Sequence, residues 1–218
     1  NKWATIKTPY GIFFISEVEG KIYLFNDKMT PISNIGNRVY FENNIKSFFG
    51  NQYFELTGEE FPNLNNPAND NGVGYISAFD SRFERLLITK KDYLLLPQLE
   101  EFFEIVEVTP TSYGVMGGAE PIVPNIMFSL EDNKFYIYVV TPVGLNWSVT
   151  VTPLSFTNAN YFENKSFTMS FSTLDNTWTS WHSYLPTYYM FTPNNLYSFK
   201  NNNNYNVYLH NIKGDFQG

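Results

Sequence analysis

The stretch Tyr75-Ile76-Ser77-Ala78-Phe79-Asp80-Ser81-Arg82-Phe83-Glu84-Arg85-Leu86-Leu87-Ile88-Thr89 decides the fold class. Two short runs of aromatic and branched residues flank a polar turn, residues 80–84. Aromatic and β-branched side chains suit a pleated surface, and Asp or Asn suits the reversal between two strands, so the stretch reads as a β-hairpin. The same grammar recurs outward from it. Residues 12–15 and 21–25 flank the turn 16–20, and residues 126–129 and 134–140 flank 130–133. Residues 167–172 and 177–181 flank 173–176, and residues 188–191 and 196–199 flank 192–195. Five hairpins with few helical segments predict an all-β architecture.

Composition agrees. The 218 residues include 21 Phe, 16 Tyr and 4 Trp, together with 27 Asn, while only 16% are charged. Aromatic residues fill strands and Asn fills the turns between them. There is no cysteine, which excludes disulfide frameworks, thiolate metal centres and thiol nucleophiles together. A net charge of −7 is the wrong sign for a chain that grips nucleic acid through phosphate contacts. No apolar run approaches the roughly 20 residues of a membrane-spanning helix, since Leu94-Leu95-Leu96 stops at Pro97. The sequence opens on Asn1 with no basic-then-apolar leader and stops abruptly at Gly218. Both ends suggest a piece of a longer polypeptide.

The hairpins are unevenly spaced. Between the first and second, the apolar residues Phe41, Ile45, Phe48 and Phe49 follow helical spacing, which predicts one short helix near 38–49 with Gly50 as its terminator. Residues 61–74, rich in Pro, Asn and Gly, read as a polar loop that stays unburied. A longer interruption contains two strand-like segments, 100–108 and 147–152, around the loop 113–124. The expected division is therefore hairpin blades over 1–92, an inserted small β subdomain over 93–160 and continued blades over 161–218.

Candidate chemistry is sparse. His182 stands next to Ser183, but neighbours in a strand point to opposite faces and cannot pair as base and nucleophile. His210 has no carboxylate close in sequence, and no cluster of metal ligands is visible, so no catalytic residue, cofactor or metal is assigned. Ser172-Thr173-Leu174-Asp175-Asn176-Thr177-Trp178 resembles a compressed Asp-box with Asn176 in place of the turn glycine. Such a box is a structural turn of propeller blades and carries no catalysis itself. Gly114, Gly117 and Gly118 lack the Lys-Ser/Thr of a phosphate loop, and Lys90-Lys91 is too short for a nucleic-acid patch. Trp178, Trp181 and Tyr188 are the residues best suited to contact a partner or stack on a sugar ring, against the alternative that they pack between sheets. That keeps open an extracellular carbohydrate- or host-receptor-binding β domain and, more remotely, a sialidase-like glycoside hydrolase.

Two stretches carry a resemblance. One runs from Gly74 to Tyr93 around Phe79-Asp80-Ser81-Arg82-Phe83-Glu84-Arg85. The other runs from Asn160-Tyr161-Phe162-Glu163 through Trp178-Thr179-Ser180-Trp181-His182 to Asn195-Leu196-Tyr197-Ser198-Phe199. Together they resemble the tail nozzle proteins, also called muzzle or stabilisation proteins, of crAss-like bacteriophages that infect gut Bacteroidales. The opening hairpin at Gly11-Ile12-Phe13-Phe14-Ile15 is similar to blade modules of podovirus-type nozzles. The resemblance covers roughly the first 93 and last 58 residues. It implies a β-propeller-like virion structural protein, assembled in the host cytoplasm and residing in the phage tail. Other copies in a ring, and portal-proximal ring or adaptor proteins, would be its partners. Viral DNA would pass through the channel as cargo, and no catalytic residues come with the family.

Overall fold

A computed structural model describes residues 4–118, 120–121, 126–200 and 206–210. In chain order come β1 (Ile6–Thr8), β2 (Gly11–Ser16), β3 (Lys21–Asn26) and β4 (Lys28–Pro31), then α1 (Arg38–Asn44) and α2 (Phe48–Thr57). β5 (Gly74–Asp80), β6 (Arg85–Lys91), β7 (Tyr93–Leu95), β8 (Phe103–Val106), β9 (Tyr113–Val115), β10 (Ile126–Ser129), β11 (Lys134–Val143), β12 (Asn146–Leu154) and β13 (Phe162–Asn164) follow. The chain closes with β14 (Phe167–Ser172), β15 (Thr177–His182), β16 (Tyr188–Phe191), β17 (Leu196–Lys200) and β18 (Asn206–Leu209). The protein is all-β with a small helical segment. Two compact units divide it: residues 1–51, 63–93 and 165–218 form the first, and residues 52–62 and 94–164 the second.

The first unit is a series of antiparallel meanders. β1-β2-β3-β4 form one sheet, β5-β6-β14-β15 a second and β16-β17-β18 a third. The second meander keeps its order although the chain of the other unit intervenes between β6 and β14. Four of the five expected hairpin turns share one geometry, the exception being 192–195, where Asn195 lacks positive φ. Ser16 pairs with Lys21, Asp80 with Arg85, Ser129 with Lys134 and Ser172 with Thr177, so each turn has four residues. The last of the four has positive φ every time: Gly20 (63°), Glu84 (46°), Asn133 (55°) and Asn176 (50°). Glycine and asparagine enter that region at least cost, which explains three of the four choices. In the Asp-box-like turn the Ser172 hydroxyl donates to Asp175 Oδ2 (3.0 Å) and accepts from the Asp175 N–H (3.1 Å).

Alternation along each strand stacks the sheets. Phe13, Ile15 and Ile22 of the first sheet meet Tyr75, Phe79, Leu86, Ile88, Met169 and Phe171 of the second, with Phe41 and Ile45 filling the same core. The second sheet's opposite face packs Ile76, Ala78 and Leu87 against Tyr189 and Leu196 of the third. The middle sheet is thus covered on both sides, and β14 is buried along its whole length, with Phe167, Met169 and Phe171 on one face and Thr168, Ser170 and Ser172 on the other.

The expected single helix over 38–49 is instead two helices, and Gly50 lies inside the second rather than ending the first. The break has a tertiary cause. Asp92, fully buried, accepts the Phe48 N–H (2.7 Å), the Phe49 N–H (3.2 Å) and the Ser47 hydroxyl (3.2 Å), while Ser47 Oγ accepts the Gly50 N–H (3.0 Å). These bonds satisfy the orphan donors of a helix start. Lys90, 2.6 Å from Asp92, donates to the carbonyls of Asn44 (2.7 Å) and Lys46 (2.8 Å), where α1 ends. One buried ion pair therefore ends one helix and begins the next, each charge meeting the helix end of opposite sign. The 61–74 loop is tied down as well. Lys91 Nζ donates to the carbonyls of Asn69 (2.5 Å), Asp70 (3.1 Å) and Pro67 (3.4 Å), and Asn63 and Val73 are buried, so the loop's ends are less exposed than its composition predicts.

In the second unit β8-β10-β11-β12-β9 form one sheet, in which β8 runs parallel to β10. The expected strand over 100–108 shortens to β8, because Pro97 starts a 3₁₀ turn over Pro97–Phe102. β7 and β13 form a two-stranded ladder. The core of this unit is a run of rings: Phe128 on Phe135 (4.8 Å), Phe135 on Phe156 (4.9 Å) and Phe156 on Phe162 (4.9 Å), with Phe61 reaching Phe128 (5.3 Å). Much of the aromatic excess is spent there.

Candidate functional site

The three aromatic residues singled out from sequence go to different places. Trp178 is committed to the core. Its Nε1 donates to the Ile32 carbonyl (3.1 Å) and its ring lies 4.6 Å from Phe41 and 5.2 Å from Phe171. Its register opposite Phe171 directs Trp178 inward, so packing between sheets describes it and a sugar platform does not. Trp181 rests edge-on against Tyr40 (4.6 Å) and Phe167 (5.9 Å) but keeps 54% of its surface exposed. Tyr188 is also 54% exposed and stands on the third sheet, at a small apolar pocket of about 170 Å³ lined by Pro67, Ala68, Ile76 and Tyr189 among others.

The two histidines meet, although they lie 28 positions apart in the chain. His182 at the end of β15 and His210 just after β18 sandwich the Tyr184 ring, with centroids at 5.1 Å and 4.7 Å. His182 Nε2 is 3.1 Å from Ser170 Oγ, and His210 Nε2 is 2.5 Å from Ser198 Oγ. Around them Thr89 Oγ1 bridges Thr168 Oγ1 and the Tyr189 hydroxyl, each at 2.8 Å, and Thr168 donates to the Tyr184 carbonyl (2.7 Å). Burial lowers His182 to about 4, with the Arg85 charge and His210 adding to the effect. Burial and Arg85 lower His210 too, against an opposing pull from Asp80. Both imidazoles are neutral at pH 7. The serine partners are buried, which denies a substrate access to either hydroxyl. The constellation is a polar seam joining the second and third sheets, with the Thr89, Thr168, Ser170, Tyr189 and Ser198 hydroxyls partnered.

A further exposed feature among the described residues is the outer face of the third sheet. Cross-strand register sets Tyr188, Phe199 and Val207 in one row and Met190, Tyr197 and Leu209 in the next. All six point away from Tyr189, Leu196 and Ser198, which are buried against the second sheet. Val207 is 55% exposed and Met190 45%. No charged side chain among the described residues lies on this face. The sequence reading found Tyr188 and missed its neighbours. The available signal was that β16, Tyr188-Tyr189-Met190-Phe191, is aromatic or apolar at both alternating phases, which a strand with one solvated face is not.

No protein-family model matches this chain, and no curated protein matches it. Among the described residues no helix is long and apolar enough to cross a membrane, and no group of three or more acidic or histidine side chains is placed to hold a metal ion.

Proposed function

We propose that this chain is a structural protein of a phage tail, contributing propeller-like blades to the nozzle ring around the DNA ejection channel, with assembly and gating as its work. The observation that carries the reading is the stack of meanders whose last sheet leaves Tyr188, Met190 and Val207 exposed on its outer face among the described residues. Contiguous exposed faces of this kind mark sites where another protein surface docks. The sequence resemblance supplies the kind of assembly, and the net charge of −7 suits a lining over which DNA passes without adhering. Portal-proximal ring or adaptor proteins are the expected neighbours within the virion.

The test is localisation. An antibody raised against the chain is expected to decorate the tail of gradient-purified particles, with the protein recovered by mass spectrometry at a fixed ratio to the portal. Its absence from purified particles overturns the assignment. A second reading, a host-glycan-binding domain, draws on Tyr188 at the mouth of its pocket. A glycan array that shows binding abolished by Tyr188→Ala would support it over the first.

A further inference from the structure

The second unit is polarised along its two longest strands. β11 and β12 pair residue for residue up to Val143 and Asn146, and Gly144 (φ 63°) and Leu145 form the two-residue turn between them. β9 lies alongside, with Val115 opposite Trp147, and the Gly117 N–H donates to Asn146 Oδ1 (3.2 Å), which ties a second turn to the first. Two crests therefore stand side by side. Leu145, 88% exposed, tops one and Met116, 91% exposed, tops the other, with Val143 half-exposed beside Leu145. Charge gathers at the opposite end of the sheet. Glu131, Asp132 and Lys134 stand where β10 turns into β11, with Glu107 next to them at the end of β8, about 30 Å along β11 from the crests. No charged residue lies between Lys134 and Glu163, and none lies between Glu107 and Glu120, the first charge beyond the second crest.

We infer that the paired crests are a lipid-inserting tip: Leu145, Met116 and Val143 enter the boundary between headgroups and acyl chains of a bilayer while the rest of the unit stays in water. The inference goes beyond the tail reading and stands on the second unit alone. Three observations select a bilayer over a protein groove. Behind the crests sit uncharged amphipathic rings, Trp147 on β12 and Tyr113 edge-on to Tyr138 (6.0 Å), the side-chain types that settle at a membrane–water boundary. Thr141, Asn146 and Ser148 complete the collar, so no charge among them loses its water as the crests enter. The apolar side chains also project from two convex turns, and fluid hydrocarbon accepts a convex knob without a matching cavity. Insertion is shallow. β10 pairs with β11 only as far as Ile137, and an open strand edge stays out of hydrocarbon, so the unit lies on a bilayer and does not span it. Acidic residues outnumber basic ones in this unit, which leaves burial rather than attraction to anionic lipid as the driving force.

Flotation of the full chain with vesicles of phosphatidylcholine alone tests this. The chain is expected to rise with the vesicles, equally at about 50 mM and about 500 mM salt. Leu145→Asp combined with Met116→Asp should weaken partitioning at least about tenfold, because two side chains lose their transfer into hydrocarbon. Both positions lie open to solvent, so the urea midpoint should stay within about 0.3 M of wild type, which shows that the variant is folded. Leu145→Trp should strengthen partitioning. Lipids brominated at the upper part of the acyl chain should quench tryptophan fluorescence in the wild type, and the quenching should disappear in Trp147→Phe. A wild-type chain that stays at the bottom of the gradient overturns the inference, and that is the result expected if the crests fit a protein groove. So does a folded double variant that floats as well as wild type, or flotation confined to anionic vesicles and lost at high salt. Failure here leaves the particle-labelling result untouched, so the two readings fall separately.

Discussion

Replacing Asp92 with alanine should damage the fold more than any other single change among the buried charges. The carboxylate holds the Lys90 ammonium at 2.6 Å and accepts the Phe48 and Phe49 amides and the Ser47 hydroxyl. Alanine strands a buried cation and removes the start of α2, for a cost of about 3–5 kcal/mol. Lys90→Met is milder, about 2–3 kcal/mol, because Asp92 loses its counter-ion and the Asn44 and Lys46 carbonyls lose a partner, but the carboxylate keeps its helix donors. The double variant should fall short of the sum by about 1–3 kcal/mol, the energy of the pair itself. Urea unfolding followed by tryptophan fluorescence reads this directly, since Trp178 and Trp181 pack on Phe41 and Tyr40 of α1. With a slope of about 2–3 kcal/mol per molar urea, Asp92→Ala should lower the midpoint by about 1–2 M. A midpoint within about 0.3 M of wild type, or a Lys90→Met variant as damaged as Asp92→Ala, would refute the staple.

Other consequences are measurable with the same assay. His182 is held near 4 in the folded chain against 6.5 ordinarily, so the unfolded chain binds more protons between those values, and stability should fall by about 2–3 kcal/mol as pH drops from 6.5 to 4, then level off. His182→Gln should flatten that slope; an unchanged slope would place the acid sensitivity elsewhere. At the 173–176 turn, Asn176→Gly should be neutral within about 0.5 kcal/mol while Asn176→Val costs more than about 1 kcal/mol, because only the second suffers at positive φ. Trp178→Phe should cost about 1–2 kcal/mol through its lost bond to the Ile32 carbonyl. Trp181→Phe, with half its ring in solvent, should cost less, and the reverse order would mean that Trp178 is not a core residue.

How far the residues announced this structure depends on the range of the interaction involved. The hairpins were legible because a strand, a four-residue turn and a returning strand lie within about 20 positions, and their alternation is local. The helical segment was legible in kind but not in extent. Whether the helix runs through residue 49 or restarts at Phe48 is decided by Lys90 and Asp92, more than 40 positions away. Seen in sequence, Lys90-Lys91-Asp92 is an ordinary charged stretch with no sign that two of its members are buried. Trp178 and Trp181 illustrate a related limit. Their spacing of three does not keep a shared face on a regular strand, yet the register of β14 with β15 shifts between Ser170 and Phe171. Phe171 thereby sits opposite Trp178 while Met169 sits opposite Trp181, and both tryptophans lie on the face that α1 covers. A bulge of this kind redirects side chains without any composition mark.

The same reasoning separates the two kinds of surface the chain presents. Where the second and third sheets meet, the seam is polar along β14, and the Thr89, Thr168, Ser170, Tyr189 and Ser198 hydroxyls and both imidazoles find partners from the same chain. That contact is complete, and its hydrogen bonds fix one register between the sheets. At the outward rows of Tyr188 and Met190, by contrast, the exposed side chains carry no polar group that requires a fixed register beyond the Tyr188 and Tyr197 hydroxyls. A contact made there would draw on burial, which is non-directional, and so would depend on shape and concentration more than on hydrogen-bond geometry. Salt should therefore strengthen association at these faces or leave it unchanged, whereas a contact steered by the chain's net charge would weaken as ionic strength rises.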